Sequence, residues 1–237
     1  MNTYHFLITG PIRPNIKYVN KLITDIKEIF IHHTIKIYLC YWDNETIDKN
    51  LIKNVDYLFP ENEPKDDYIY ENVKKQTIQQ KQLHPNIDHW TINIYKMFYG
   101  IKKLVNNIDN NSLINDHDIV LRFRTDLYIQ NINLSLLNNL LNNINKNCYY
   151  FCPRSSGGNS CDWFGISSYK IFKNIWFIKD NKEYNNTIEN LWNAENIVLY
   201  KSNLFNIKLI DVNSIFKFAL CRKYENKDNF DIKEYHT

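Results

Sequence analysis

The sequence predicts an α/β fold, a mixed, mainly parallel sheet flanked by helices. Strand and helix patterns alternate from the N-terminus, the order that builds a parallel, doubly wound sheet. Residues 118–129 (DIVLRFRTDLYI) form a short β-rich run that reads as a buried strand. The run carries two arginines and a carboxylate toward its C-terminal end, charges that are costly to bury without partners. In open α/β sheets that end of a strand is where ligands sit.

Residues 4–9 (YHFLIT) make the first strand, broken sharply by Gly10-Pro11-Ile12-Arg13-Pro14. Residues 17–30 then place Val19, Leu22, Ile23, Ile26, Ile29 and Phe30 at helical spacing. Residues 34–41 alternate as a second strand, a brief helix is expected around 47–53, and 55–59 form a third strand. The polar stretch 60–87, with three prolines, reads as loop plus an exposed helix at 70–82. The strongest helix follows, with Trp90, Ile94, Met97, Phe98, Ile101, Leu104 and Val105 on one stripe and Asn93, Lys96 and Gly100 on another side. After the 118–129 strand come a helix at 134–144, a strand at 148–152 and a Gly/Ser-rich loop at 153–161. Helices at 169–178 and 187–200, a last strand at 204–210 and a tail rich in aromatic and charged residues complete the chain. No internal repeat or linker appears, so a single domain over 1–237 is expected.

With 44% hydrophobic and 23% charged residues, the chain has the composition of a packed core rather than of disorder. The net charge of +3 is dispersed, which argues against a nucleic-acid partner. No stretch approaches the roughly 18 apolar residues of a membrane span, and the N-terminal run lacks the basic flank of a secretory signal. The 5 cysteines form no disulfide framework, so a reducing, cytoplasmic location is expected. The heavy use of Asn, Ile, Lys and Tyr suits an AT-rich microbe or a large DNA virus, the host cytoplasm being the location in the second case. Cys148 and Cys152, with Cys161 nearby, have zinc-like spacing, but a strong zinc signal needs two such pairs, so a pair of strand cysteines is the favoured reading. The histidines lack metal-ligand spacing and are expected at the surface.

Several sites are open to two readings. Thr9, Gly10 and Arg13 follow the first strand; Gly10 permits a tight turn and Arg13 is either a nucleotide contact or a surface arginine. This is neither a dinucleotide fingerprint nor a P-loop, since the required glycines and the Gly-Lys-Ser/Thr are missing. Trp42 and Asp43 end the second strand, either stacking on a base and bonding it, or serving as a core Trp and a helix cap. Arg122, Arg124 and Asp126 are the most informative set. They either hold a metal–diphosphate, the arginines bonding phosphate and the carboxylate a hard cation, or form a structural ion pair. Asp162 and Trp163 suit sugar binding, with Asp162 also a candidate general base, or are a strand start beside core aromatics. Glu195 is a second catalytic candidate or a solvated helix residue, Lys96 a possible phosphate partner, and Arg222 a phosphate clamp or a tail charge.

Taken in order, FLITGPIRPN, TIKIYLCYWDN, VDYLFP, a helix with a central Gly, IVLRFRTDLYI and CDWFGIS resemble the WavE-type lipopolysaccharide-synthesis family of GT-A-like glycosyltransferases. The resemblance covers roughly residues 4–178. It implies transfer of a sugar from a nucleotide-sugar donor, such as a UDP-sugar, to a glycan or other hydroxyl acceptor. It further implies a nucleotide-binding half at 1–130 and an acceptor-binding half at 131–237. By position, Gly10 and Arg13 would border the nucleotide, Asp43 the base and Asn93 a helix Gln of the family. Asp126 would be the last carboxylate of the metal motif, for Mn²⁺ or Mg²⁺, and Asp162 would lie on the acceptor side. The chain departs from the family at Ile92, where an Arg is usual, and at Arg122, where a Lys is usual; Arg124 occupies the first carboxylate position of the metal motif. The rival expectations are a non-catalytic carbohydrate- or nucleotide-binding relative and a metal-dependent phosphoesterase. Oligomeric state is not legible.

Overall fold

The structure, a computed structural model, describes residues 3–12, 16–43, 52–73, 87–152, 163–188, 194–221 and 232–233. In chain order the elements are β1 (Thr3–Thr9), α1 (Ile16–Ile29), β2 (Thr34–Trp42), β3 (Tyr57–Glu61), α2 (Asp66–Asn72) and α3 (Ile87–Asn110). There follow β4 (Ile119–Arg124), β5 (Leu127–Ile132), α4 (Leu134–Asn142), β6 (Cys148–Phe151), β7 (Phe164–Ser168) and α5 (Tyr169–Trp176). The last elements are α6 (Asn181–Ile188), α7 (Ala194–Leu204), β8 (Lys208–Asp211), β9 (Phe216–Cys221) and β10 (Ile232–Lys233).

Seven strands form one sheet in the order β3-β2-β1-β4-β7-β6-β8, and β10-β9-β5 form a smaller one. Strands β3, β2, β1 and β4 are mutually parallel, β7 runs antiparallel between β4 and β6, and β8 pairs parallel with β6. The sheet is therefore mixed and mainly parallel, as the alternation of the N-terminal elements predicts. Central strands β1 and β4 are buried on both faces because helices cover both faces. Val19, Leu22, Ile23 and Ile26 of α1 are buried on one side, and Phe98, Ile101, Leu104 and Val105 of α3 on the other. Pro60 lies in β3, an edge strand, where its missing N–H leaves the inner ladder intact.

Helix α3 runs antiparallel to β2. Tyr38, midway along β2, reaches the Leu113 carbonyl beyond the helix end, whereas Trp42, at the strand's C-terminus, packs on Gly100. A Cβ at Gly100 would lie 3.2 Å from the Trp42 ring, so this glycine makes room for the indole. Trp42 is thus a buried core residue, not an open stacking platform.

Other expectations need correction. The 118–129 run is two strands in different sheets, parted by a turn at Thr125 and Asp126. The helix expected at 70–82 begins earlier, as α2 at Asp66, and its remainder falls outside the described residues, as does most of 47–53. The helix expected at 187–200 is two helices, α6 and α7. The strand expected at 204–210 begins at Lys208, and the tail contributes β9 and β10. Cys148 and Cys152 are buried, one in β6 and one just after it. Four residues along an extended chain separate them by about 13 Å, too far for one zinc, so the strand-cysteine reading holds.

His5 contradicts the expected surface placement. It is buried in β1, its Nδ1 3.0 Å from the Tyr38 hydroxyl and its Nε2 3.8 Å from Asp118. Burial lowers its pKa below 6.5, against the raising effect of Asp118, while Lys36 lowers it further. Between the folded-state pKa and 6.5 the unfolded chain therefore binds more protons, and stability rises with pH across that window. The melting temperature of the wild type is expected to fall from pH 7 to pH 5 more steeply than that of His5→Gln. Parallel curves for the two proteins would show that His5 is not titrating.

Candidate functional site

The site is built where β1, β2 and β4 end and β7 begins. Thr9 is the last residue of β1 and pairs in register with Cys40 of β2 and Arg124 of β4. Gly10 follows with φ +133°, a conformation that side-chain-bearing residues rarely adopt. Its N–H donates to the Cys40 carbonyl at 3.3 Å. A Cβ there would sit 2.9 Å from Thr125 Oγ1.

Thr125 clamps the two loops together. Its N–H donates to the Thr9 carbonyl at 3.2 Å, and its hydroxyl donates to the Pro11 carbonyl at 2.5 Å. It is buried, so these bonds are shielded from water. Sequence reasoning missed Thr125, although the Gly-Pro break after the first strand and the hydroxyl between Arg124 and Asp126 were the available signal. The Thr9 hydroxyl is also buried and makes no hydrogen bond among the described residues. Buried polar atoms of this kind ask for an explanation, such as a water, an ion or a functional role.

Arg124 and Asp126 form a bidentate pair. Arg124 Nε donates to Asp126 Oδ1 at 2.9 Å and Nη2 to Oδ2 at 2.8 Å. The side chains are 25% and 15% exposed, so the guanidinium is the more solvent-facing partner. The carboxylate expected to hold a cation thus has both oxygens bonded to an arginine. Hard divalent cations take about six oxygen ligands, and among the described residues no three His, Cys, Asp or Glu side chains converge. The described residues do not fit a resident Mn²⁺ or Mg²⁺.

Arg122 is not at this edge. It is fully buried, and its guanidinium carbon lies 4.0 Å from the centroid of the Trp176 ring, on the face covered by α3 and α5. Phe123 takes the other face, against Phe6, Phe164 and Phe218. The expectation that Arg122 bonds a diphosphate is corrected on that ground: no path leads a phosphate to a side chain with no exposed surface. Lys96 is on the surface of α3, partly exposed. It is held by Glu63 at 2.9 Å and Asp66 at 2.6 Å, so two carboxylates already offset its charge. Burial opposes its protonation, but those bonds win and its pKa is raised.

Asn93 is exposed on α3, two turns N-terminal to Gly100. Asp43 follows β2, its N–H donating to the Glu61 carbonyl at 2.8 Å. Trp163 directly precedes β7, whose Phe164 pairs with Phe123. The antiparallel pairing of β4 and β7 therefore brings Trp163 to the end that carries Arg124 and Asp126. Trp163 is buried, so its ring is not displayed as an open sugar platform. Glu195 lies in the first turn of α7, which packs on α5. Arg13, Asp162 and Arg222 lie outside the described residues. Two concavities lie elsewhere, one between α3 and α6 lined by Tyr95, Tyr99 and Tyr184, the other where β5 meets α4. We place the site at the strand ends despite them, because the charged and glycine-turn chemistry is there.

No protein-family model matches the chain. Over 163 residues it is 24% identical to the valine–tRNA ligase of Wigglesworthia glossinidia brevipalpis, a match over 67% of this chain and 18% of the ligase. The chain thus spans only 18% of the curated relative it matches, and identity at this level sets no family. Among solved structures, it is similar to a protein described as a nucleotide-diphospho-sugar transferase of Desulfovibrio desulfuricans (8% identity, TM-score 0.43, 90% of this chain and 80% of that one). It is similar to the galactosyltransferase LgtC bound to donor and acceptor sugar analogues (10%, TM-score 0.48, 89% and 73%). A third is Drosophila β1,4-galactosyltransferase 7 in complex with manganese, UDP-Gal and xylobiose (8%, TM-score 0.42, 91% and 66%). At TM-scores below 0.5 these likenesses assign no role to any residue of this chain. No helix among the described residues is long and apolar enough to cross a membrane.

Proposed function

We propose that the chain is a glycosyltransferase of the GT-A type that moves a sugar from a nucleotide-diphospho-sugar to an acceptor hydroxyl, in polysaccharide or other glycan synthesis. The observation that carries the reading is the meeting of Arg124-Thr125-Asp126 with Trp163 at one end of the sheet, through the β4–β7 pairing. These are the two most specific segments of the resemblance to the WavE-type family, and they lie 37 residues or more apart in the chain yet share one edge with the positive-φ turn at Gly10. On this reading 1–130 is the nucleotide half and 131–237 the acceptor half.

Thr9, Gly10 and Arg13 border the nucleotide, Asp43 and Asn93 flank it, and Arg124 faces the diphosphate. The acceptor oxygen attacks the anomeric carbon, the bond from that carbon to the phosphate oxygen breaks, and the nucleoside diphosphate leaves with the electron pair. The acceptor proton passes to a carboxylate, with Asp162 the candidate and Glu195 the second. Charge developing on the leaving diphosphate is stabilised by N–H donors fixed in advance of reaction. Arg222 is a further candidate phosphate partner.

The test is a thermal-shift screen against UDP, GDP, CDP and their sugars, with and without Mn²⁺. A nucleotide at a hundredfold excess over its Kd adds about 2.7 kcal/mol. That corresponds to roughly 5–11 °C for a chain of this size. A flat response to every nucleotide would remove the donor site and the reading with it.

A further inference from the structure

We propose that Arg124, held in place by Asp126, stands at the donor diphosphate where a divalent cation would otherwise bridge the phosphates, so that donor binding is independent of added metal. The inference rests on the glycosyltransferase reading and deepens it by naming what neutralises the leaving group.

Asp126 is the carboxylate that the resemblance places at the metal motif, and both of its oxygens accept from Arg124, at 2.9 and 2.8 Å. A cation bound to the same carboxylate would stand beside a guanidinium, like charge against like. The donor set therefore suits an arginine better than a metal. A guanidinium has five N–H groups in a rigid fork. Two of them meet Asp126. Bidentate bonding to a carboxylate on one edge leaves the planar group oriented, which is the geometry that recognises phosphate oxygens best.

Exposure agrees with this order. Arg124 is the more exposed of the two, with Asp126 behind it. The turn that carries both is fixed from below by the Thr125 clamp to Thr9 and Pro11. Asp126 is thus a positioning residue, and Arg124 the group that would touch the substrate.

The two assignments of Asp126 make opposite predictions for one substitution. As a metal ligand, Asp126→Asn abolishes metal-dependent nucleotide binding. As the holder of Arg124, Asp126→Asn leaves the guanidinium its charge and relieves it of the neighbouring anion. The experiment is calorimetric titration of the full chain with UDP, GDP and CDP, each in EDTA and in excess MnCl₂, for wild type, Arg124→Gln, Arg124→Lys and Asp126→Asn. The expected result has four parts. EDTA changes the wild-type Kd less than about threefold. Arg124→Gln weakens binding at least about tenfold in both buffers, as loss of a charge-assisted bidentate contact should. Arg124→Lys does not restore it, because a lysine lacks the fork. Asp126→Asn keeps its affinity within about fivefold, while its transfer rate falls because the guanidinium is no longer held in place.

Binding that appears only in MnCl₂ and is lost in Asp126→Asn would overturn the inference and leave the glycosyltransferase reading standing. Absence of binding by every nucleotide in both buffers would overturn both. The wild-type comparison of EDTA with MnCl₂ decides the point even if a variant fails to fold.

Discussion

Arg122→Ala is expected to lower the melting temperature by roughly 6–12 °C, without changing the affinity for any nucleotide that the wild type binds. Arg122 has no exposed surface, and its guanidinium carbon lies 4.0 Å over the Trp176 ring. Truncating a large buried side chain costs about 2–5 kcal/mol through the cavity it leaves. A desolvated cation–π contact adds about 2 kcal/mol. Releasing a buried cation from its desolvation cost works in the other direction. A net loss of about 3 kcal/mol follows, and each kcal/mol shifts a chain of this size by about 2–4 °C. Arg122→Met refills most of the volume without a charge and should lose much less. Thermal melts and nucleotide titration of the same preparations check the claim. A variant that melts like the wild type but binds nucleotide poorly would place Arg122 at the ligand and refute the core assignment.

Gly10→Ala is expected to destabilise the fold by about 2–4 kcal/mol and to weaken nucleotide binding along with it. The φ of +133° is a region essentially restricted to glycine, and a non-glycine residue held in such a region costs about 1–3 kcal/mol. The new methyl would also stand 2.9 Å from the Thr125 hydroxyl, which is already bonded to the Pro11 carbonyl. Steric and conformational contributions separate in a double-mutant cycle. In a Thr125→Ala background the contact is gone but the φ remains, so Gly10→Ala should cost about 1 kcal/mol less there than in the wild type. Denaturant titration of the four proteins gives the comparison. Equal costs in both backgrounds would show that the clamp and the turn are independent.

The elements with a clear period were legible from the sequence. The repeat from Val19 to Ile26 marks a helix because burial on one face demands 3.6-residue spacing, and α1 has those residues buried. That Gly10, Asp43 and Asp126 share one edge was legible too, since they follow strands whose ends the topology brings together. What local pattern could not show was where 118–129 changes sheets. Leu127 and Ile129 are as apolar as Leu121 and Phe123, and only the bonds of Thr125 to Thr9 and Pro11 mark the break. For the same reason Arg122 and Arg124 look alike in the sequence. Alternation puts both on one face, but depth along the strand separates a residue under Trp176 from one at the rim. Trp42 was misjudged through a partner distant in the chain, Gly100, and the partners of Lys96, Glu63 and Asp66, were equally hidden from local pattern. The second sheet was missed because β9 and β10 lie in a tail where aromatic and charged residues mix without a period.

Strand β1 sits between β2 and β4, and the Thr125 clamp joins atoms 114 residues apart in the chain. During synthesis, β1 can pair with β2 as soon as the second strand emerges, but its other edge has no partner until β4 has also left the ribosome. Throughout that interval an unpaired edge of a largely apolar strand is presented to neighbouring nascent chains, the kind of edge that templates aggregation. Every residue assigned to the nucleotide in the first part of the chain is therefore made long before it can do anything. The edge that carries Gly10, Thr125 and Asp126 comes into being in one late event, when a strand from mid-sequence closes the gap beside the first.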